Sequence, residues 1–394
     1  MKSNLTKWPY YSGDEKKIVN QTLSSGKVNY WTGNLCRKFE TDFSNYIGTN
    51  YAISLNNGTV AIELALMAMN ISNGDEVIVT PRSYVASVSS VVNVGAKPIF
   101  ADIDLQSGNL TPETISKVIS KKTKAVICVH ITGIPCEMDK IMSLAKKMNL
   151  KVIEDCSQAH GAEYKGKKVG SFGDISTWSF CQDKIISTGG EGGMVTTNKY
   201  KFWNKMWKLK DHGKNHKKMM SNNSKKTGFK WVHDDFGSNY RMTEMQAGIG
   251  IAQLKKLDKW QKIRENNSLR IINKFKEYKD VVEFFNYPKE VKFAWYRCCI
   301  LINENKLNRG WSRDRIISEF NNNKIPCFVG PCPEIYLEKS FQKNNFSPKK
   351  RLKNAFDLGK MTIAFLVHPT LKREDINNIC DTIQKIMTKA SLKQ

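Results

Sequence analysis

Apolar positions along the chain fall into two alternating patterns. Short, nearly continuous apolar runs occur at Ala52–Leu55, Asp75–Thr80, Ala96–Ala101, Ala125–His130, Lys151–Glu154, Ile175–Phe180 and Met194–Thr197, and predict buried strands. Between them the apolar residues recur at helical spacing, over Asp14–Leu23, Leu35–Tyr46, Val60–Asn70, Thr111–Ser120, Glu137–Asn149 and Lys199–Leu209. Strand and helix in alternation, with strands apolar throughout, predict an α/β fold: a parallel sheet covered on both faces. One long helix is expected from Thr243 past Trp260 to about Tyr278, bridging to a second region. There the pattern changes: Tyr296–Ile302 reads as a strand, Arg313–Asn322 and Glu374–Met387 as helices, and Cys327–Tyr336 as a loop. The expected division is an N-terminal arm (1–34), a large domain (35–260) and a smaller C-terminal domain (261–394).

The strand ends carry the candidate chemistry. Lys151–Glu154 delivers Asp155, with Gln158 and His160 following within one turn. Ile175–Phe180 delivers Ser179 and leads to Lys184 and Glu191 in a glycine-rich loop. Ala52–Leu55 breaks at Asn56-Asn57-Gly58-Thr59 before a helix, which makes an anion site because free backbone N–H groups point outward there. Gly58 permits close approach of the backbone, and Thr59 can cap the helix and offer its hydroxyl. Each piece alone has a plain structural reading: a solvated lysine, a capping aspartate, an ordinary N-cap. Jointly, an acid and an amine emerging from strand ends meet where α/β sheets bind ligands. That pair suits pyridoxal phosphate, whose aldehyde condenses with the amine and whose pyridinium nitrogen pairs with the acid. Tyr84, just past a strand end, can lie on a flat heterocycle or pack the core. Tyr30 and Trp31, in the Asn29–Gly33 turn, can stack on a base or sugar, or pack the arm onto a partner. His130, also at a strand end, reads as a hydrogen-bonded structural histidine.

Composition narrows the classes. The 394 residues, 40% of them hydrophobic, suffice for a large core and two or so domains. No apolar run approaches the ~20 residues needed to span a bilayer, and no secretory signal is seen. The ten cysteines are scattered with no CxxC pair; reduced thiols in a cytoplasmic protein explain them better than a disulfide frame or a metal site. A net charge of +25 raises the question of nucleic acid. The lysines, however, are spread along the chain among asparagines. The densest basic stretch, Lys208–Lys230 with Lys214, Lys217, Lys218, Lys225 and Lys226, reads as a mobile loop. A DNA-binding regulator is therefore the minor reading, and a positive field equally suits an anionic, nucleotide-linked substrate.

Four segments, NNGTVAIELAL, VIEDCSQAHGA, WSFCQDKIISTGGEGGM and FGSNYRMTEMQAGIG, in this order and spacing, resemble the DegT/DnrJ/EryC1/StrS family of pyridoxal phosphate-dependent nucleotide-sugar aminotransferases. The resemblance runs from about residue 8 to the C-terminus. It implies fold type I: a large domain with a mostly parallel seven-stranded sheet covered by helices, and a smaller C-terminal α+β domain. It also implies roles for single residues. Lys184 is the cofactor-linked lysine and general base, Asp155 the acid on the pyridine nitrogen, and Gln158 the neighbour of the ring hydroxyl. Gly58, Thr59 and Ser179 cradle the phosphate, Tyr84 stacks on the ring, and Asn239 reaches the phosphate from the other subunit of a homodimer. Tyr30, Trp31, His160 and Glu191 are the candidates on the substrate side. Lys184 as base asks for an amine titrating below the ordinary lysine value, from desolvation and the ring. Arg241 is expected to organise its loop. This chain departs from many members in having Cys181-Gln182-Asp183 where a His-Pro-type pair stands, and an extra glycine before Glu191. A lysine rather than histidine at 184 argues for amino transfer over dehydration, with L-glutamate as donor. The preferred substrate is dTDP-4-keto-6-deoxyglucose, for an O-antigen or related surface glycan. GDP-4-keto-6-deoxymannose, giving perosamine, is the alternative, and a 3-keto or UDP sugar also fits.

Overall fold

The computed structural model describes residues 5–221, 229–286 and 290–391. Seven strands form the main sheet: β1 (Tyr51–Leu55), β2 (Glu76–Val79), β3 (Lys97–Phe100), β4 (Thr123–Val129), β5 (Lys151–Asp155), β6 (Ile175–Ser179) and β7 (Gly193–Thr197). Their spatial order is β1-β7-β6-β5-β4-β2-β3, and β7 runs antiparallel to both of its neighbours while the remaining pairs are parallel. Both faces are buried, which is why the strands are apolar without alternation. Side chains still alternate between the faces: Val126 and Cys128 enter one apolar cluster, Ala125 and Ile127 the other. Helix α1 (Gly13–Ser24) precedes the sheet. Helix α2 (Leu35–Ile47) buries Phe39, Phe43 and Ile47 against the first face, and α3 (Gly58–Ala68) buries Ile62, Ala65 and Leu66 against the second.

Three differences from the sequence reading have physical causes. Helix α4 (Ala86–Asn93) has no apolar period to announce it, because ASVSSVVN is built of serines and β-branched valines of modest helix propensity. Its Ser87, Val88, Ser90 and Val91 are buried, so packing holds it. The long helix is two, Glu244–Leu254 and Leu257–Phe275, broken at Lys255–Lys256. The break turns Lys256 towards α1, where its Nζ meets the buried Glu15 at 2.8 Å and Ser12 at 2.7 Å. Glycines let the first of these helices approach its neighbours: a Cβ at Gly248 would lie 2.3 Å from Ile18, and one at Gly250 2.5 Å from the Phe39 ring. Finally, the basic stretch is partly helical, at Tyr200–Lys210 and His216–Met220, while Lys225 and Lys226 lie outside the described residues.

The C-terminal part builds a four-stranded antiparallel sheet from Val282–Glu283, Cys298–Ile302, Thr362–Phe365 and Cys327–Phe328, in that order. The strand Thr362–Phe365 and the helix Lys353–Met361 before it were not legible in the sequence. The Leu257–Phe275 helix joins the two regions: Leu257 and Trp260 pack into the main core, Ile271 and Phe275 into the C-terminal one. Among the described residues, no helix is long and apolar enough to cross a membrane.

Candidate active site

The C-terminal ends of the parallel strands open onto a cavity of about 950 Å³. Topology makes it. β5 and β6 pair in parallel and so release Asp155 and Ser179 on the same side of the sheet, and β1 releases the chain into α3 at the same edge. Gly58, Thr59, Tyr84, Asp155, Gln158 and Ser179 line the cavity, as do Lys184 and Glu191. Helix α3 begins at Gly58, earlier than its apolar period indicates, because the Asn57 side chain caps it by accepting from the Val60 N–H at 2.9 Å. A Cβ on Gly58 would lie 2.7 Å from Ser179 Cβ, so the helix N-terminus and the end of β6 touch. Gly58 and Thr59 at this helix start line the cavity, and a helix N-terminus is where free backbone N–H groups can take an anion.

Asp155 is 3% exposed and held from two sides. The Ser87 hydroxyl donates to its Oδ2 at 2.7 Å, and the Ser157 N–H to its Oδ1 at 3.1 Å. Ser87 is in turn 2.9 Å from the Ser83 hydroxyl. Gln158 is oriented by the Thr132 N–H, which donates to its Oε1 at 2.8 Å. Thr132 itself has φ +54°, a conformation unusual for a β-branched residue. Lys184 is fixed through its backbone: its N–H donates to the Cys181 carbonyl at 3.1 Å, and the Trp8 indole donates to its carbonyl at 2.9 Å. Its amine lies 3.5 Å from Asp183 and 5.2 Å from the centre of the Tyr296 ring. The Glu191 turn is pinned by Thr188 and Gln246, which donate to its carbonyl at 2.6 and 2.8 Å. A helix start at one end of the cavity, a buried carboxylate and a nearly buried amine thus share one cavity, an arrangement whose charges are complementary to a phosphorylated, aldehyde-bearing heterocycle.

A profile of the DegT/DnrJ/EryC1/StrS aminotransferase family matches residues 9–384. The chain belongs to this family. It is similar to a GDP-perosamine synthase of Escherichia coli O157:H7, 38% identical over 380 residues that cover 96% of each chain. It is also similar to a dTDP-3-amino-3,6-dideoxy-alpha-D-galactopyranose transaminase of Aneurinibacillus thermoaerophilus, 30% identical over 378 residues, 95% of this chain and 96% of the relative. Among solved structures, an aminotransferase from Psychrobacter cryohalolentis superposes with a TM-score of 0.95 at 46% identity, over 98% of this chain and 99% of that one. The fold is that of the type I pyridoxal phosphate-dependent aminotransferases.

For this aminotransferase several site expectations need correcting. Tyr30 and Trp31 do not line the cavity. Tyr30 is 2% exposed, with the Lys210 amine 3.6 Å above its ring, and Trp31 packs edge-on against Trp207 at 5.9 Å. Both serve the core, which lies directly beneath the turn that carries them. His160 is 1% exposed and sits between Trp178 and Phe180, at 5.3 and 5.6 Å. Burial, with Lys184 and Arg264 nearby, pulls it down to about 3, so it stays neutral and is not a proton carrier. Asn239 does not line this chain's own cavity; its Oδ1 accepts from the Arg241 N–H at 3.4 Å on an exposed loop. The Lys184 amine departs from expectation in sign. Burial acts to lower it, but Tyr296, Asp183, Cys181 and Asp155 together outweigh that and hold it above the ordinary lysine value.

Other expectations hold. Arg241 organises its loop through the buried Asp211, at 2.6 Å. His130 is structural: its Nδ1 accepts from the Cys136 N–H at 3.0 Å and its Nε2 faces Glu154 at 3.1 Å. Glu154 also accepts from the N–H groups of Gly170, Phe172 and Gly173, so its oxygens are already engaged. Sequence reasoning missed Ser87, Thr132, Tyr296 and Arg297, all of which line the cavity. Ser87 was legible only as part of an unassigned stretch, and Tyr296 and Arg297 lie too far along the chain for any local signal.

A Cβ at Gly193 would lie 2.2 Å from the Asn57 carbonyl oxygen and 3.0 Å from the Gly58 nitrogen, backbone atoms that cannot rotate aside. Gly193→Ala is expected to push β7 from the start of α3, destabilising the protein by about 1–3 kcal/mol. It is also expected to speed loss of cofactor on dialysis. Urea unfolding and retained cofactor absorbance check the two effects, and wild-type retention would show that the cradle tolerates the shift.

Proposed function

We propose that this aminotransferase moves an amino group from L-glutamate onto a nucleotide-linked 4-keto-6-deoxy sugar, and that the sugar is GDP-4-keto-6-deoxymannose. The single observation that carries the amino transfer is one cavity holding both Lys184 and Asp155 beside the Gly58–Thr59 helix start. The substrate reading rests on the likeness to GDP-perosamine synthase over nearly the whole chain, which favours the GDP sugar over the dTDP-4-keto-6-deoxyglucose preferred from the sequence. The use of the product in an O-antigen or related surface glycan goes with that reading.

The cofactor is pyridoxal 5′-phosphate, and the cavity fits it. When bound, it supplies an aldehyde that takes up the amino group and a ring that accepts the electrons of the broken C–H bond. Gly58, Thr59 and Ser179 hold the phosphate through backbone N–H and hydroxyl donors. Asp155, kept in place by Ser87 and Ser157, pairs with the ring nitrogen. Tyr84, 67% exposed on the cavity wall, covers the ring face. Lys184, once its amine has given up its own proton, takes the proton from the donor's α-carbon and returns it on the other side of the transfer.

A homodimer completes the reading. Phe229, Trp231 and Phe236 are 75%, 80% and 95% exposed on the loop that leads to Asn239. Large aromatics left in water on one loop mark an association surface, and a second copy seated there brings Asn239 to the neighbouring phosphate cradle. The test of substrate is a panel of GDP-, dTDP- and UDP-linked keto sugars incubated with L-glutamate and read by product mass. Amination of the GDP sugar at least about tenfold faster than of the others, a 1.4 kcal/mol preference, is expected. Preference for a dTDP or UDP sugar would overturn the substrate assignment while leaving amino transfer intact.

A further inference from the structure

Lys184 is gripped at its amine as well as its backbone. Asp183 Oδ1 lies 3.5 Å from Nζ, and the amine sits 5.2 Å above the Tyr296 ring. The Tyr296 hydroxyl donates to the other oxygen of Asp183, tying ring and carboxylate together. That tie joins the turn after β6 to the segment leading into the Cys298–Ile302 strand, so both main regions of the chain meet at the amine. The groups around it are Cys181 and Asp183 from its own loop, Asp155 from β5, Tyr296 and Arg297 from the C-terminal region, and the neutral His160 beneath. Of these, Asp183 stands at ion-pair distance. Its side chain is 51% exposed while that of Lys184 is 13% exposed, so the carboxylate reaches the amine from the wet side of the cavity.

We propose that Asp183 and Tyr296 form a parking clamp that catches the Lys184 amine at the cavity wall whenever it is free. The proposal rests on Lys184 being the reactive amine. In this arrangement Asp183 is a positioning residue. It holds the free amine on the cavity wall and keeps it from folding back into the cradle, while the ring face gives the cation a second, weaker partner. The clamp must also let go before Lys184 can rejoin the cofactor, so its strength balances capture against release.

The test uses the cofactor-free protein. Trace acetic anhydride labels free amines, and peptide mass spectrometry reads the extent at each lysine as a function of pH. Removing an opposite charge at ion-pair distance lowers an amine's titration, here partly screened by water. In Asp183→Asn, labelling of Lys184 at pH 8 is expected to rise about threefold to tenfold over wild type, with Lys199 and Lys256 unchanged. Tyr296→Phe, which frees Asp183 from its tie, is expected to give a smaller rise at the same residue. In the loaded enzyme both variants are expected to lower kcat with KM for glutamate unchanged. Unaltered labelling of Lys184 in both variants would overturn the clamp. Borohydride trapping of the loaded wild type locates the reactive amine separately: cofactor on the Lys184 peptide supports the premise, and cofactor on another lysine overturns premise and proposal together.

Discussion

Lys184→Ala will abolish amino transfer, with a loss of at least about 10³-fold in kcat, because a positioned proton carrier alone is worth about 10²–10⁴-fold and the covalent anchor goes with it. The fold should survive. The lysine side chain makes its contacts at the cavity wall, with Asp183 and the Tyr296 ring, whereas its turn is held through backbone bonds from Trp8 and to Cys181 that alanine keeps. Removing a cation from beside Asp183 leaves that carboxylate half in water and bonded to Tyr296, so no charge is stranded in the core. The measurement is product mass from glutamate and a keto sugar, alongside a melting curve. Wild-type turnover in the variant would remove Lys184 from the mechanism, and a collapse of the melting curve would show that the residue is structural.

The second large effect is expected from Asp155→Asn. The change is nearly isosteric, but one carboxylate oxygen accepts from Ser87 and the other from the Ser157 N–H. The amide can accept only at one of them, which costs about 1–3 kcal/mol of stability for a buried donor left unpaired. The functional loss should be larger. Without a negative charge facing the ring nitrogen, the ring no longer draws electrons as strongly, and a fall in kcat of about 10²–10³-fold is expected, the range seen when one electrostatic partner of a reacting group is removed. Ser87→Ala separates the two effects: it keeps the charge and removes one bond, so its stability should fall in a similar way while kcat drops far less. Equal kcat losses in the two variants would mean that the position of Asp155, rather than its charge, is what matters.

Much of this site was legible along the chain because its parts are local. Asp155 and Ser179 end apolar strands, Gly58 and Thr59 start a helix, and Lys184 is the only lysine between Ile175 and Gly193, so short-range pattern and spacing single them out as candidates, while their roles come from the family resemblance. The misassigned residues fail for one shared reason. Tyr30, Trp31 and His160 are aromatic or polar residues near the right motifs, and from the chain alone nothing says whether such a side chain turns outward to a ligand or inward to a core. The interior decided: Lys210 and Trp207 cover the first two, while Trp178 and Phe180 enclose the third. Helix α4 was hidden for a related reason, since its serines and valines become helical only when buried against their neighbours.

By itself the sequence determined the layered α/β architecture, the order of the strands along the chain, and an acid and an amine that line one cavity. These follow from apolar periodicity and from backbone preferences within a few residues. Only the tertiary structure decided that Tyr296 and Arg297 reach the same cavity, that Trp8 fastens the lysine turn, and that Tyr296, together with Asp183, raises an amine that burial alone would lower. Contacts between residues more than a hundred positions apart, and the balance of charge they create, depend on how the layers pack, and no local pattern in the chain encodes that distance.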